Sequence, residues 1–410
     1  MSRPSRISTV LSLFILSLAA SSQSKPRARD LGVPFDGAPG PNNAITDVKG
    51  VEVGHTTLIS GSGKLVVGKG PVRTGVTAIH PRGKTSNDAV FAAWFTLNGN
   101  GEMTGTTWVD DSGFLNGPVM ITNTHSVGVV RDAVIAWKVR HGTPDMEGYW
   151  WSLPVVAETW DGWLNDINGF HVHPEDAWHA LDVAHTGPVE EGNVGGGTGM
   201  ICHEFKGGIG TSSRVLDAKS GGYTVGVLVQ CNYGRRDQLR IAGVPVGKEI
   251  PEKPAYGDDE TTSSGIYDKK LEGKEIRGKD VGSIIVIVAT DAPLIPTQLK
   301  RIAKKVSLGL GRDGSYSGDG SGDIFLAFST ANPGAVSPKS NQPNNLHPLT
   351  MLPNDSLDPI FLATVQATEE AVINAMVAAE TMKGIDDHEV IALPHDRLRE
   401  VLVKYNRLVK

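Results

Sequence analysis

The run of apolar residues that begins after Ser283 constrains the fold of this chain more than any other stretch. In SIIVIVATDAPL, the six residues from Ile284 to Ala289 are all apolar. A short apolar run without alternation is typical of a strand that other layers cover on both faces. Thr290 and Asp291 are good helix N-caps, so we expect a helix to begin directly after this strand.

The other apolar patterns predict both strands and helices around this strand. Short runs between Gly-rich turns indicate strands in GVEVGHTTLI, GVTAIHP, GPVMITN and YTVGVLVQCNYG. Helical spacing predicts helices over residues 153–164, 174–183 and 296–308, and a longer one within 357–384. A chain of 410 residues with 39% hydrophobic content can build a sizeable core. The predicted fold class is therefore α/β or α+β, with layers of both elements.

A polar tract over residues 251–282 separates the two parts of this pattern. It is rich in charge, Ser, Thr and Gly, and we interpret it as a solvated linker. A cut at its end, between Gly282 and Ser283, would leave a serine with both a hydroxyl and a free α-amine. An α-amine has a pKa of about 8, so it can take the hydroxyl proton at working pH. Gly282 suits such a cut because a residue without Cβ tolerates unusual backbone geometry.

The N-terminal residues and the net charge bear on location and partners. Arg3 and Arg6 precede an apolar run from Ile7 to Ala20 and then small residues, which predicts a signal peptide over roughly residues 1–22 and an exported protein. A membrane anchor is the alternative, but the run is shorter than the roughly 20 residues that span a bilayer. The net charge of −6 argues against nucleic acid or an anionic membrane as partner.

Eight segments of the sequence together resemble one family of enzymes. They are PVVAETWDGWLND, EGNVGGGTGM, FKGGIGTSSR, YTVGVLVQCNYG, RIAGVPVGKEI, SIIVIVATDAPL, SGDIFLAFST and VQATEEAVINAMVAAETM. The chain is similar, from about Arg29 onward, to the L-aminopeptidase/D-amidase-esterase and β-aminopeptidase family. The resemblance implies a self-cleaving hydrolase of the N-terminal-nucleophile type, with residues 23–410 folded as one four-layer αββα sandwich. It also implies a large chain ending at 282, a small chain 283–410 and a tetramer of such pairs.

The resemblance also implies roles for individual residues. Ser283 would be the nucleophile, and Asn232, in QCNYG, would donate a hydrogen bond to the oxyanion. The family's Ser-Gly-Glu motif corresponds here to Ser321 and Asp323 with a glycine between them, and Asp for Glu shortens the reach by roughly 1.5 Å. Being two apart on a strand, the two side chains would face the same way. Glu158 corresponds to the acidic residue near the substrate, where it could bind an N-terminal ammonium.

The function that these predictions describe is that of a self-processing serine aminopeptidase. It would release N-terminal residues from small peptides, amides and esters through an acyl-enzyme, without metal or cofactor. Two alternatives remain, which are a related acyltransferase, where an amine intercepts the acyl-enzyme, and a secreted binding protein that has lost turnover. The sequence leaves open whether α- or β-amino acids, and L or D configurations, are preferred.

One cluster of histidines offers a rival chemistry. His171, His173 and His179 lie in FHVHPEDAWH, and a His-x-His pair at a strand end is a spacing that zinc hydrolases use. Pro174, however, opens an ordinary helix within the cluster, and no second group of ligands is evident. No metal site is therefore predicted, and a metallohydrolase stays a third alternative.

Two further motifs predict structure rather than chemistry. GNVGGGTGM, residues 192–200, lacks the Gly-Lys-Ser/Thr ending of a phosphate loop, so we expect it to line the active cleft instead. Cys202 and Cys231 are the only cysteines. Their apolar surroundings favour buried thiols, with one bridge possible.

Overall fold

The computed structural model describes residues 25–142, 151–256, 282–336 and 347–409. The predicted signal peptide and residues 257–281 of the predicted linker lie outside these ranges. The first residues of that linker are described, and they are not all solvated, because Ala255 is buried in a small cluster with Leu164 and Met382.

Two sheets lie in the middle of the described fold. The smaller sheet consists of Glu52–Ser60 (β1), Val72–His80 (β2), Val119–Asn123 (β5) and Val155–Thr159 (β6), in the order β1-β2-β5-β6. The larger sheet consists of Val90–Gly99 (β3), Phe114–Leu115 (β4), Gly208–Val215 (β9), Thr224–Asn232 (β10), Ser283–Thr290 (β11) and Gly322–Ser329 (β12), in the order β4-β3-β12-β11-β10-β9. Two short pairs complete the strands, Ile201–Cys202 (β7) with Phe205–Lys206 (β8) and Met382–Lys383 (β13) with Glu389–Val390 (β14).

Helices cover the outer face of each sheet. The helices of the described residues are Thr106–Ser112 (α1), Val127–His141 (α2), Pro174–Asp182 (α3), Val246–Glu249 (α4), Pro296–Arg312 (α5), Asp358–Val377 (α6) and His395–Lys404 (α7). Helices α2 and α3 share a core with the smaller sheet, and α5 and α6 share one with the larger sheet. A third core fills the space between the sheets. This is the predicted αββα sandwich.

Strand β11 shows why its sequence is apolar without alternation. Ile284, Val286 and Val288 belong to the core that the larger sheet shares with α5 and α6. Ile285 and Ile287 belong to the core between the two sheets. Both faces of β11 are therefore buried, as its apolar run predicts.

The order of the larger sheet mixes early and late parts of the chain. Strands β11 and β12 come after residue 282 and run parallel to each other. They lie between β10 and β3, which come before residue 282 and pair antiparallel with them. The late strands are thus enclosed on both sides by early ones.

The predicted helix over residues 153–164 is wrong. Val155–Thr159 forms β6, whose five residues are all buried and which runs parallel to β5. Val155 faces the core between the sheets, whereas Val156 faces the core under α2 and α3. In a segment buried all round, apolar spacing does not separate a strand from a helix.

The helix expected to begin at Thr290 or Asp291 begins later, at Pro296. Thr290 Oγ1 instead donates to the carbonyl oxygen of Thr224, and Asp291 Oδ1 accepts from the backbone N–H of Thr224. Both side chains therefore tie the ends of β10 and β11 together. Proline at the first helical position suits a helix start, because the missing N–H has no partner there. The other predicted helices are confirmed as α3, α5 and α6.

Helix α6 is a core helix. Among the described residues, it alone has the length and mean hydropathy of a membrane span, and 83% of its most apolar window is buried in the fold. Its buried side chains pack in the core under the larger sheet. Burial inside the protein accounts for its apolar character.

Candidate active site

Three neighbouring central strands of the larger sheet bring the predicted residues together where their ends meet. Ser283 is the first residue of β11 and lies opposite Asn232, the last residue of β10. On its other side Ser283 pairs with Gly322, the first residue of β12. Ser321 and Asp323 flank that glycine, and both are buried. Residues that lie far apart in sequence meet here because the register of the sheet aligns three strand ends.

The peptide bond between Gly282 and Ser283 is held closely by its neighbours. The backbone N–H of Gly322 donates to the carbonyl oxygen of Gly282 at 3.1 Å and lies 3.3 Å from Ser283 Oγ. A Cβ at Gly282 would lie 2.3 Å from the carbonyl oxygen of Asn232 and 2.4 Å from Tyr233 Cα. Glycine is therefore required at 282 by close packing, whereas the sequence suggested a need for unusual backbone geometry.

Ser321 and Asp323 form a hydrogen-bonded pair beside Ser283. Ser321 Oγ donates to Asp323 Oδ1 at 2.7 Å, so the two side chains face each other as their spacing predicts. Asn100, just after β3, holds the preceding loop through two hydrogen bonds. Its backbone N–H donates to the carbonyl oxygen of Ser321, and its side chain donates to that of Gly320. The shorter aspartate therefore reaches its serine within an ordered loop.

The carboxamide of Asn232 is fixed at both ends by backbone groups. Its Oδ1 accepts from the N–H of Ile201 at 2.7 Å, and its Nδ2 donates to the carbonyl oxygen of Trp160 at 3.0 Å. An amide NH₂ has two N–H donors, so one donor of Asn232 is left for another acceptor. Because the amide is planar, the direction of this second donor is fixed by the other two bonds.

Glu158 lies on the smaller sheet, across the sandwich from these strands. It is 3% exposed, and it accepts hydrogen bonds from the backbone N–H of Glu102 and from Thr124 Oγ1. Burial raises the pKa of the Glu158 carboxyl, and those two hydrogen bonds offset part of the rise. A Cβ at Gly101 would lie 3.3 Å from both Glu158 Oε1 and Gly322 Cα. Glu158 therefore lies next to the strand ends that hold Ser283.

The Gly-rich segment 192–200 uses the N–H groups of its central glycines inside the fold, and its expected place as a cleft lining stays a prediction. The N–H groups of Gly195 and Gly196 donate to Thr57 Oγ1 and Thr77 Oγ1. Residues 195–200 are all buried. Glycines are needed because the segment touches backbone, for example at Gly197, where a Cβ would lie 2.4 Å from the backbone nitrogen of Ile209.

The two cysteines form a disulfide, so the expectation of buried thiols is corrected. Cys202 and Cys231 are bonded through their sulfurs and are both fully buried. The bridge forms because β7 crosses the end of β10 beside the hydrogen bond between Ile201 and Asn232. It connects the two segments that position the Asn232 carboxamide.

The histidines of the rival metal hypothesis serve other contacts. His171 Nε2 lies 2.8 Å from Asp166 Oδ2, and His179 Nδ1 lies 3.0 Å from Thr56 Oγ1. His173 precedes α3, as expected from Pro174. Within the described ranges, no group of three or more His, Cys, Asp or Glu side chains is arranged to hold a metal ion.

An αββα sandwich with a serine at the start of a central strand is the architecture of N-terminal-nucleophile hydrolases. The sequence model of peptidase family S58 matches residues 43–390. The chain belongs to peptidase family S58 and is an aminopeptidase. The non-catalytic alternative is therefore not retained.

Known proteins resemble this chain over almost its whole length. The β-peptidyl aminopeptidase of Sphingosinicella microcystinivorans is 54% identical over 399 residues, which cover 96% of each chain. The solved L-aminopeptidase D-Ala-esterase/amidase of Ochrobactrum anthropi, described as a variant of the N-terminal-nucleophile hydrolase fold, is 47% identical with a TM-score of 0.82, over 94% of this chain and 100% of that one. A Burkholderia β-aminopeptidase is 45% identical with a TM-score of 0.80, over 92% and 99%.

Sequence reasoning missed the groups that orient the predicted side chains. The carbonyl of Trp160 and the N–H of Ile201 are backbone groups, and a backbone contact leaves no residue type by which it could be recognised. Gly101 and Asn100 lie in a loop that the sequence analysis passed over. A signal was available for Lys206, a charged residue placed directly between Phe205 and the glycines of FKGGIG.

Proposed function

We propose that this aminopeptidase processes itself between Gly282 and Ser283 and then uses Ser283 as nucleophile and, through the new α-amine, as base. The observation that carries the proposal is the position of Ser283 at the tip of a buried central strand, where it pairs with Asn232 on one side and Gly322 on the other, and where the Gly322 N–H lies 3.3 Å from Ser283 Oγ. Such a position fixes a nucleophile rigidly, and the partners around it donate hydrogen bonds without adding charge.

In the uncut chain, Ser283 Oγ would attack the carbonyl carbon of Gly282. The C–N bond breaks as an ester to Oγ forms, the proton from Oγ passes to the departing amine, and water then hydrolyses the ester. The hydrogen bond from the Gly322 N–H to the Gly282 carbonyl oxygen supports this step, because it stabilises negative charge that develops on that oxygen. The products are a carboxylate on Gly282 and a free amine on Ser283.

In the mature enzyme, the α-amine of Ser283 would take the Oγ proton as Oγ attacks the acyl carbon of a substrate. The remaining N–H donor of Asn232 stabilises the oxyanion. The amine then protonates the leaving group, and water releases the acyl-enzyme by the reverse sequence. The Ser321–Asp323 pair flanks Gly322, the residue that pairs with Ser283, and it would hold the α-amine and its proton in place.

We further propose that Glu158 selects substrates with a free amino terminus. Its two described hydrogen-bond donors are neutral groups, so a substrate ammonium would supply the balancing charge. The names of the two related β-aminopeptidases support short peptides with an N-terminal β-amino acid as the substrate class. Small α-amino amides and esters are a second class, supported by the related L-aminopeptidase D-Ala-esterase/amidase.

Export and assembly also belong to the proposal. The sequence of residues 1–22 supports a cleaved signal peptide. A cut there would keep Arg27 and Arg29, which form ion pairs within the fold. Assembly of cleaved pairs into a tetramer is expected from the family resemblance. The mass of the secreted protein in solution, with the N-terminal sequence of its large chain, tests both points.

Intact mass under denaturing conditions, compared between the natural chain and Ser283→Ala, tests the central proposal. We expect the natural chain to give two polypeptides, with the smaller beginning Ser-Ile-Ile-Val. The variant is expected to remain one folded chain and to lose hydrolysis of aminoacyl p-nitroanilides, because both the nucleophile and its amine are absent. A folded Ser283→Ala chain that is still cut, or an uncut natural chain with full activity, would refute the mechanism.

A further inference from the structure

Lys206 is a fully buried lysine outside the residues used so far. It is the last residue of β8, and its side chain is among the largest fully buried ones of the protein. Its Nζ donates to the backbone carbonyl oxygens of Met200 at 2.7 Å and Gly207 at 2.9 Å, and lies 3.4 Å from that of Gly197. Three acceptors match the three N–H donors of an ammonium group.

Burying a lysine is costly, and packing alone does not require it. Burial, and to a smaller extent Lys25, lowers the pKa of Lys206 well below its ordinary value, while Asp161 opposes the shift. A buried cation stabilises a fold less well than an apolar side chain of similar volume would. Methionine would fill much of the same space without this cost, so the ammonium group needs another explanation.

The acceptors of Lys206 connect it to the Asn232 carboxamide. The Met200 carbonyl and the Ile201 N–H are the two ends of a single planar peptide unit. Lys206 Nζ and the Gly207 N–H hold the oxygen end at 2.7 Å and 2.9 Å, and Asn232 Oδ1 accepts from the N–H end at 2.7 Å. Fixing the oxygen therefore fixes the direction in which the N–H points at Asn232.

We propose that Lys206 is a positioning residue for catalysis, which orients the Asn232 carboxamide through the Met200–Ile201 peptide so that the free N–H of Asn232 meets the oxyanion. The inference rests on the proposed role of Asn232. A hydrogen bond to the carbonyl oxygen also polarises the peptide and strengthens its N–H as a donor. The carbonyl of Trp160 fixes the other end of the carboxamide. Lys206 itself touches neither substrate nor Ser283 in this scheme.

Replacing Lys206 by Met, which keeps most of the volume and removes the donors, tests the proposal. We expect kcat on an aminoacyl p-nitroanilide to fall about tenfold, a part of the roughly 100-fold to 1,000-fold that losing an oxyanion donor costs. KM is expected to stay unchanged, because Glu158 is untouched. Lys206→Gln keeps two N–H donors and is expected to recover part of kcat. Rates are divided by the amount of chain that begins with Ser283, so that slower processing does not enter kcat.

A buried cation elsewhere provides the matched control. Arg73 is 8% exposed, and its guanidinium donates to backbone carbonyls, among them those of Ser60 and Lys383. It makes no described bond to the Met200–Ile201 peptide. Arg73→Met is therefore expected to lower thermal stability while leaving kcat within about twofold of the natural enzyme.

A double-mutant cycle with Asn232→Ala separates positioning from general damage. If Lys206 acts through Asn232, adding Lys206→Met to Asn232→Ala lowers kcat no further. A tenfold loss that persists in the Asn232→Ala background overturns the proposal, and so does full kcat in Lys206→Met alone. Failure of both Lys206 variants to fold, while Arg73→Met folds, would assign Lys206 to stability alone. Full kcat in Asn232→Ala would refute the role of Asn232 and, with it, the positioning role of Lys206. The proposed mechanism at Ser283 would still stand.

Discussion

At the residue scale, Glu158 combines three properties that rarely occur together in a carboxylate. It is buried, its described hydrogen-bond donors are neutral, and it lies beside the strand edge that holds Ser283. A buried carboxylate without a balancing cation costs free energy. Binding of a substrate ammonium, as we propose, would recover that cost and would let the residue discriminate between substrates.

Glu158→Gln is expected to lower kcat/KM about 10-fold to 100-fold for substrates with a free amine, since a hydrogen bond to a charged group contributes about 1.5–3 kcal/mol. The N-acetylated forms of the same substrates, which have no ammonium group, are expected to be little affected. Self-processing should continue, because the Gly282–Ser283 peptide presents no ammonium. Steady-state kinetics on matched free and acetylated p-nitroanilides measures the difference.

Glu102→Gln is the control for that substitution. Glu102 is exposed and contributes its backbone N–H to Glu158, so the variant changes a nearby charge and keeps the hydrogen bond. We expect less than a threefold change in kcat/KM. Equal effects of the two variants would assign the loss to the electrostatic potential near the site rather than to contact between Glu158 and the ammonium.

The site side chains could be predicted from sequence to the extent that motifs identify them. Ser283, Asn232, Ser321 and Asp323 were predicted in this way, and the sheet register brings these four residues together. Distances between segments far apart in sequence could not be predicted. The hydrogen bond from Ile201 to Asn232 depends on how β7 crosses the end of β10, which is a property of tertiary packing.

At the scale of elements, three strand ends of the larger sheet hold the Gly282–Ser283 peptide, where we propose the cut. Gly282 precedes β11 and packs against the backbone of Asn232 and Tyr233 at the end of β10. No side chain fits there unless the backbone moves. The position of the Gly282 carbonyl relative to Ser283 Oγ and the Gly322 N–H therefore depends on residue 282 being glycine.

Gly282→Ala is expected to slow processing about 5-fold to 150-fold, because overpacking of about 1–3 kcal/mol displaces the carbonyl from its donor. The fraction of cut chain over time, from intact mass, measures the rate. Gly311→Ala on α5 is the control, since a Cβ there meets nothing within 4 Å. Equal processing rates in the two variants would show that packing at 282 does not control the cut.

Elements with one clear pattern were predicted well, and fully buried short ones were not. The six apolar residues of β11 indicate a strand because charged and polar residues bound the run so closely. No such residues mark both ends of Val155–Thr159, and the apolar spacing around this segment fits a helix equally well. What decides in favour of a strand is pairing with β5, which the local sequence does not encode.

At the scale of the whole molecule, one buried carboxylate joins the parts of the chain before and after residue 282. Glu370, on α6, accepts from Arg29 at 2.7 Å and 2.8 Å, and also from Arg214 and Asn43. Burial raises the pKa of Glu370, but the hydrogen bonds and charges of Arg29 and Arg214 outweigh it, so that the pKa lies below its ordinary value. The ionised form therefore stabilises the fold.

Because the folded-state pKa is depressed, the contribution of Glu370 is present above its ordinary pKa of 4.5 and is lost as pH falls through the folded value. Glu370→Gln in the uncut Ser283→Ala chain is expected to lower the free energy of unfolding at pH 7 by about 3 kcal/mol. The variant should also lose less stability than its parent when the pH falls below 4.5. Urea unfolding at several pH values measures both effects.

Glu369→Gln, one residue away, is the matched control. Glu369 pairs with Arg312 at the surface, and an exposed ion pair contributes at most about 1 kcal/mol. We expect a small change in unfolding free energy that depends little on pH. A loss as large as that of Glu370→Gln would show that the charge of α6, rather than the buried ion pair, is responsible.

The enclosure of β11 and β12 between β10 and β3 has a consequence for the lifetime of the enzyme. Before the cut, every strand reaches its place within one molecule. After the proposed cut, the middle strands of the larger sheet would belong to a separate polypeptide. Refolding would then require two polypeptides to meet, in competition with aggregation. Recovery from denaturation would then depend on protein concentration in the cut form alone. In dilute solution, the working life of the cut protein would be set by how slowly it unfolds.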